Sequence, residues 1–259
     1  MILQKIADAT RIRVSAQKTA LPLADMKKRA RPSANPFSFE KTLAGGGLSF
    51  ICEVKKASPS RGLIAHDFPH VQIAKEYEKA GANAVSVLTE PEFFLGSDLF
   101  LKDIKKELSI PVLRKDFIVD EYQIYESAAL GADAILLICA LLDTETLKTF
   151  IAAADAFGLS CLVEAHDEPE ISSALAAGAR IIGVNNRDLR SFTVDLQNSI
   201  RLRPLVPPGR LFVSESGIKT PADIAALQKA GADAVLIGEA FMLSKNKKEE
   251  LAYLKGGHP

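Results

Sequence analysis

The sequence predicts an α/β chain of the (βα)8 class, a TIM barrel, with an N-terminal helical extension. Three observations predict it. A phrase in which a helix end meets glycine and then an apolar run recurs four times, a second strand-like run sits midway in each interval, and helix-like segments fill the spaces. The phrases are Lys79-Ala-Gly-Ala-Asn-Ala-Val-Ser-Val-Leu88, Leu130-Gly-Ala-Asp-Ala-Ile-Leu-Leu137, Ala177-Gly-Ala-Arg-Ile-Ile-Gly-Val184 and Lys229-Ala-Gly-Ala-Asp-Ala-Val-Leu-Ile237. Their glycines, Gly81, Gly131, Gly178 and Gly231, lie 50, 47 and 53 residues apart. That interval is about twice one compact strand-loop-helix unit.

The extension occupies residues 1–45 and the barrel 46–259, together one domain. Leu3, Ile6, Thr10 and Val14 form a helical stripe, and Leu21-Pro-Leu23 followed by Asp25-Met-Lys-Lys-Arg-Ala30 suggests a second short helix. The extension is either an inert cap or a cover over the site. Gly45-Gly46-Gly47 precedes a strand rather than following one, so it reads as a flexible linker and not a nucleotide turn. The first strand is Leu48-Ser-Phe-Ile-Cys-Glu-Val-Lys55. Ile110-Pro-Val-Leu-Arg-Lys115, Ser160-Cys-Leu-Val-Glu164 and Arg210-Leu-Phe-Val-Ser-Glu215 supply the midway strands, for eight in all. Helices are expected near 67–80, 97–108, 120–130, 143–157, 167–177, 195–203, 220–230 and 245–255. Asp120 or Glu121 opens one of them, and Thr220 before Pro221 opens another as N-cap followed by proline in the first turn. An open doubly wound sheet is the structural alternative, and it usually carries a glycine-rich turn that is missing here.

Charge narrows the partners. Lys and Arg total 32, as do Asp and Glu, so there is no basic excess for nucleic acid or a membrane surface. The longest uncharged apolar run, Ala134 to Leu142, is far short of the roughly 20 residues a bilayer requires. Charges at Lys5, Asp8, Arg11 and Arg13 interrupt any secretory signal. Cys52, Cys139 and Cys161 are odd in number, widely spaced and set in apolar runs, so they read as core residues in a reducing compartment. The expected setting is cytoplasmic. His66, His70, His166 and His258 show no metal-ligand spacing.

Polar residues fall where the fold places chemistry, at the C-terminal strand ends. The first strand ends with Glu53 and Lys55 on one face, the third with Lys115, the fifth with Glu164, the sixth with Asn185-Asn-Arg187 and the seventh with Glu215. Lys55, Lys115 and Arg187 against Glu53, Glu164 and Glu215 make a balanced set, so the mouth is electrically compensated without a ligand. Neighbouring cations and partial burial are expected to lower a lysine pKa here. Ser216-Gly217, Gly238-Glu239 and Ser58-Pro-Ser60-Arg-Gly62 bring backbone N–H groups, hydroxyls and close-approach glycines to a phosphate site. The loop 57–65 joins a catalytic strand to that site and is expected to move.

Five runs in order, Glu53-Val-Lys-Lys-Ala-Ser-Pro-Ser-Arg-Gly62, Pro111-Val-Leu-Arg-Lys-Asp-Phe117, Leu162-Val-Glu-Ala-His166, Ile182-Gly-Val-Asn-Asn-Arg-Asp-Leu189 and Val213-Ser-Glu-Ser-Gly-Ile218, resemble the indole-3-glycerol phosphate synthase family over essentially the whole chain. The resemblance implies ring closure, decarboxylation and dehydration of 1-(2-carboxyphenylamino)-1-deoxyribulose 5-phosphate, a step of tryptophan biosynthesis. It implies Lys115 as general acid on the ribulose carbonyl oxygen, Lys55 at the substrate carboxylate, and Glu164 in the proton transfer of dehydration. Glu53, Asn185 and Glu215 would orient the lysines and substrate hydroxyls, and Arg187 would fix the polar network or the carboxylate side. Ser58, Ser216, Gly217, Gly238 and the Glu239 backbone would bind phosphate, while Phe93, Phe117, Leu136, Leu189 and Leu236 would wall the aromatic ring. The chemistry moves protons onto oxygen and off carbon, so positioned amines and carboxylates suffice, with no metal or organic cofactor. The expected partner is a phosphorylated small molecule, and the expected assembly a monomer or weak homo-oligomer. Another phosphosugar-processing barrel enzyme and a non-catalytic barrel that binds a phosphorylated ligand are the alternatives.

Overall fold

The computed structural model describes residues 2–188 and 190–256. Eight parallel strands close into a barrel: β1 Ser49–Val54, β2 Ala84–Leu88, β3 Val112–Lys115, β4 Ala134–Ile138, β5 Ser160–Ala165, β6 Ile181–Asn185, β7 Leu211–Glu215 and β8 Ala234–Ile237. Each strand pairs with the next, and β8 returns to β1 in the register Ser49 opposite Ala234. The helices between strands are α4 His70–Ala80, α5 Asp98–Glu107, α6 Tyr122–Leu130, α7 Thr144–Asp155, α8 Glu168–Ala176, α9 Gln197–Leu202 and α10 Pro221–Ala230, with α12 Lys247–Leu254 closing the ring. They form for the expected reasons. Thr220 and Asp223 make a capping box ahead of Pro221, Asp143 and Asp167 accept from the first turns of α7 and α8, and Asp120 accepts the N–H of Tyr122. One short helix lies outside the eightfold count, α11 Glu239–Leu243, immediately after β8.

Strand alternation sorts the core into an inside and an outside. Ile51, Leu113, Leu136, Leu162, Ile181, Val213 and Leu236 fill the barrel, while neighbours such as Phe50, Cys52, Val85, Ile135, Cys161 and Val235 pack under the helices. Cys52 and Cys161 thus face away from the mouth, opposite Glu53 and Glu164, and burial pushes both thiols up. Among the described residues no helix is long and apolar enough to cross a membrane.

The extension closes both ends of the barrel. Its helices are α1 Ile2–Ala20, α2 Leu23–Arg29 and α3 Ser38–Leu43, the last of which had no counterpart in the expected elements. Phe39 and Leu43 of α3 join the inner core, and Ser38 and Glu40 bond to Asp133 and Ser160 at strand starts, so α3 plugs the N-terminal end. The glycine triplet read as a flexible linker is a turn carrying this plug directly into β1, with Gly46 and Gly47 at positive φ. At the opposite end α1 buries Leu3, Ile6, Thr10 and Val14. It is tied down by Arg13 to Asp116 at 2.8 Å, Gln17 to Glu126 at 2.9 Å and Lys18 to Asp120 at 2.6 Å.

Arg114 anchors that attachment. It points outward from β3, is fully buried, and donates to Asp98 at 2.9 Å, Glu126 at 2.7 Å and Asp116 at 3.2 Å, with Thr89 and Ser127 completing its shell. Glu126 and Asp116 in turn hold α1. Removing a buried guanidinium strands its carboxylates. Arg114→Met is therefore expected to cost about 3–5 kcal/mol in urea unfolding; a loss under about 1 kcal/mol would mean the network carries little of the fold.

Candidate active site

The strands' C-terminal ends open into one cavity of about 780 Å³. Glu53, Lys55, Lys115, Glu164, Asn185, Arg187 and Glu215 all line it. Inward alternation delivers Glu53 and Lys55 from β1 and the loop behind it, Lys115 from β3, Glu164 from β5 and Glu215 from β7.

Lysines and glutamates interleave. Lys55 Nζ lies 2.5 Å from Glu53 Oε1. Lys115 Nζ lies 3.6 Å from both Glu164 Oε2 and Glu215 Oε2, too far for a hydrogen bond, and among the described residues it makes none. Its three N–H groups are left for a ligand. Burial alone would depress this ammonium, yet Glu215, Glu164 and Glu53 outweigh burial and hold its pKa above the ordinary lysine value. This corrects the expectation of a lowered lysine pKa: the charges that act on Lys115 are those of carboxylates. Glu53 is held below the usual carboxylate range, where Lys55 and then Lys115 overcome its burial.

Glu215 takes the opposite course. Burial, against the pull of Lys115 and with Glu164 and Glu53 adding, pushes its carboxyl up to about 8. Its Oε1 is buried without a hydrogen-bond partner, above Gly183 of β6. A Cβ at 183 would fall 2.2 Å from that oxygen, so the glycine makes room for it. Gly238 does the same for the other pair, since a Cβ there would fall 2.4 Å from Glu53 Oε1 and 2.9 Å from Lys55 Nζ.

Beside this cluster, Ser58, Ser216, Gly217, Gly238 and Glu239 line one wall of the cavity. Ser216 and Gly217 both have positive φ, at 69° and 85°. A left-handed serine is costly away from a constrained site. Here Asn186 holds it by donating to its carbonyl at 3.0 Å, while the buried Asn186 amide also engages Ser199 and Ser214. Glu239 opens α11, and its side chain turns away to pair with Arg61 of the loop after β1. That loop folds as a short hairpin, 57–58 against 62–63, and Ser58 Oγ stands 3.4 Å from Ser60 Oγ. The wall thus offers hydroxyls and unobstructed backbone at a helix start.

The apolar wall contains Phe117, Leu136 and Leu236. Phe94 lines it and Phe93 does not, a correction to the sequence expectation. Glu90 is the reason: its buried carboxylate accepts the N–H groups of Glu92, Phe93 and Phe94, and the tight turn presents Phe94 to Phe117 with ring centroids 5.9 Å apart. Leu189 lies outside the described residues. Ile2, Leu3 and Ile6 of α1 also line the cavity, which makes the extension a cover over the mouth. Nothing in the motif spacing pointed to them, although the stripe containing Leu3 and Ile6 was visible. Arg187 lines the rim and donates to Phe192 O at 3.2 Å, bracing the loop after β6.

Two groups bind protons more tightly here than in an unfolded chain, the buried Glu215 at about 8 and the half-buried His166 at about 9. Their raised pKa values stabilise the fold at low pH, and that contribution is lost as pH rises through 8 and 9. Glu215→Gln, which fixes the uncharged form, is expected to flatten the decline in urea stability between about pH 5 and 8. An unchanged slope would show that Glu215 is ionised throughout.

A sequence model described as Indole-3-glycerol phosphate synthase matches residues 3–254. The chain is 62% identical over 258 residues to the indole-3-glycerol phosphate synthase of Ruminiclostridium cellulolyticum, covering 99% of each chain. It is 57% identical to that of Endomicrobium trichonymphae, over 98% of this chain and all of the other. Among solved structures, 3-hexulose-6-phosphate synthase superposes with a TM-score of 0.62 at 17% identity, over 81% of this chain and 99% of that one, a likeness of fold alone. On the family match and these full-length relatives, the chain belongs to the indole-3-glycerol phosphate synthases.

Proposed function

We propose that this cavity forms the indole ring of indole-3-glycerol phosphate with Lys115 as the first proton donor. The observation that carries the assignment is the position of Lys115, a half-buried cation with unused N–H groups at the barrel mouth, flanked by Glu164 and Glu215 and beside the phosphate wall. In 1-(2-carboxyphenylamino)-1-deoxyribulose 5-phosphate, the ring carbon bearing the carboxylate attacks the ribulose carbonyl. The new carbon–carbon bond sends the carbonyl electrons to oxygen, and Lys115 supplies the proton that makes it a hydroxyl. Carbon dioxide leaves, and the electrons of its bond restore the aromatic ring. Dehydration completes the product: Lys55, freed from the lost carboxylate, gives a second proton to the hydroxyl, which departs as water, while Glu164 takes a proton from the former methylene carbon.

Lys55 pairs with the substrate carboxylate before it is lost, and Glu53 holds Lys55 for that task. Asn185 and Glu215 orient substrate hydroxyls, and Arg187 braces the carboxylate side of the rim. Ser58, Ser216 and the backbone of Gly217, Gly238 and Glu239 receive the phosphate, with Arg61 placed to exchange Glu239 for it. Phe94, Phe117, Leu136 and Leu236 press the aryl ring toward the carbonyl, the orientation on which an intramolecular attack depends. The cover formed by α1 excludes water from this step. The free cysteines fit a cytoplasmic setting.

Purified, metal-stripped protein mixed with this substrate should give a rising indole fluorescence. Lys115→Ala is expected to lower turnover by on the order of 10²–10⁴ with its circular dichroism unchanged, as loss of a general acid should. Near-full turnover in the variant would remove Lys115 from the reaction.

A further inference from the structure

His166 follows β5, two residues beyond Glu164, and does not line the cavity. It stands behind Glu164. Its Nδ1 is 3.1 Å from Glu170 Oε2 of α8, and the same oxygen accepts its backbone N–H at 2.7 Å. Its Nε2 is buried, has no hydrogen-bond partner among the described residues, and faces Glu164 Oε1 at 3.5 Å. Asn198 fixes the backbone by donating to His166 O at 3.1 Å.

With a carboxylate at each ring nitrogen, only the doubly protonated imidazolium can donate to both. The carboxylates around it favour that form. Glu164 comes from its own strand, Glu170 from α8, Glu215 from β7 and Asp188 from the loop after β6; the Cys139 thiol after β4 borders Glu164 and Glu170, and Lys115 lies beyond Glu164. Burial opposes the charge, but the hydrogen bond to Glu170 and the charges of Glu164, Glu170 and Glu215 carry the pKa up to about 9.

The two oxygens of Glu164 are thereby divided: Oε1 is turned to His166 and Oε2 to Lys115. From this division we infer that His166 is a positioning residue for ring formation, its imidazolium gripping Glu164 Oε1 so that Oε2 stays aimed at Lys115 and the substrate. The inference rests on the proton-transfer role assigned to Glu164 above. His166 never touches the reacting atoms; it fixes the plane and the electrostatic setting of the carboxylate that does.

Steady-state turnover of the carboxyphenylamino-deoxyribulose phosphate from pH 6 to 10 tests this in wild type, His166→Gln, Glu170→Gln and Glu164→Gln. His166→Gln is expected to lower kcat on the order of 10-fold with KM held within about twofold, the pattern of a group acting in the transition state rather than in binding. Wild-type kcat should fall as pH rises through about 9, where the imidazolium is lost, and His166→Gln should lack that fall. Wild-type kcat and an intact fall near pH 9 in His166→Gln, with Glu164→Gln inactive, would overturn the inference and leave the role of Glu164 standing. Full activity in Glu164→Gln would instead overturn that role, and the inference with it. If His166→Gln does not fold, Glu170→Gln decides, because its amide still accepts the His166 N–H but no longer supports the cation. The fall should then move down by about one pH unit, and a fall that stays in place would overturn the inference.

Discussion

Two lysines and three glutamates share the barrel mouth, and no assignment of five full charges leaves every group paired. Lys55 and Glu53 satisfy each other at 2.5 Å. Lys115 is left between Glu164 and Glu215, and the excess negative charge is relieved by a proton retained on Glu215. The rest of the mouth serves this imbalance. Gly183 and Gly238 remove the side chains that would collide with its oxygens, and the apolar rows below and the cover of α1 above keep the dielectric low enough for the charges to matter. The surplus acidity keeps Lys115 protonated, the state in which an amine can give a proton to a carbonyl oxygen.

A second charged network stands behind the first. Arg114 and Lys115 are adjacent on β3 and point to opposite faces, so one short strand carries the cation that anchors the extension and the cation that faces the cavity. Asp116, the next residue, bonds to Arg114, Arg13 and Thr89 and also lines the cavity. The position of α1 over the mouth is thus coupled through three consecutive residues to the position of Lys115, and a disturbance of α1 should be felt at β3.

The barrel was legible because its signal is repeated. Each strand is an apolar run bounded by turn residues, and four share one phrase, so errors at single boundaries did not disturb the count. The charged site was legible for a related reason: a lysine or glutamate ending an apolar strand has no role in the core, and alternation shows which of them face inward together. The features that escaped depend on backbone turns and interatomic distances that residue types do not specify. Phe94 displaced Phe93 because the Glu90 carboxylate gathers three consecutive amides, a turn that residue types alone do not specify. The upward shift at Lys115 follows from which charges lie nearest, and the sequence supplied a balanced set without distances. His166 was visible as a histidine lacking metal-ligand spacing and as the end of the run from Leu162, but not as a partner of Glu164, since the turn from β5 into α8 is what brings Glu170 to one ring nitrogen and leaves the other facing Glu164.

In the proposed mechanism, Lys115 delivers its proton to the ribulose carbonyl oxygen while the phosphate sits on the wall formed after β1, β7 and β8. A crystal structure with the substrate reduced at that carbonyl tests it most directly, because the resulting hydroxyl oxygen marks the reacting position. Lys115 Nζ is expected within about 3.2 Å of that oxygen, the distance of a direct hydrogen bond, with the phosphate on the amides of Gly217, Gly238 and Glu239. A hydroxyl held by Lys55 or by water, with Lys115 still facing Glu164 and Glu215 alone, would contradict it.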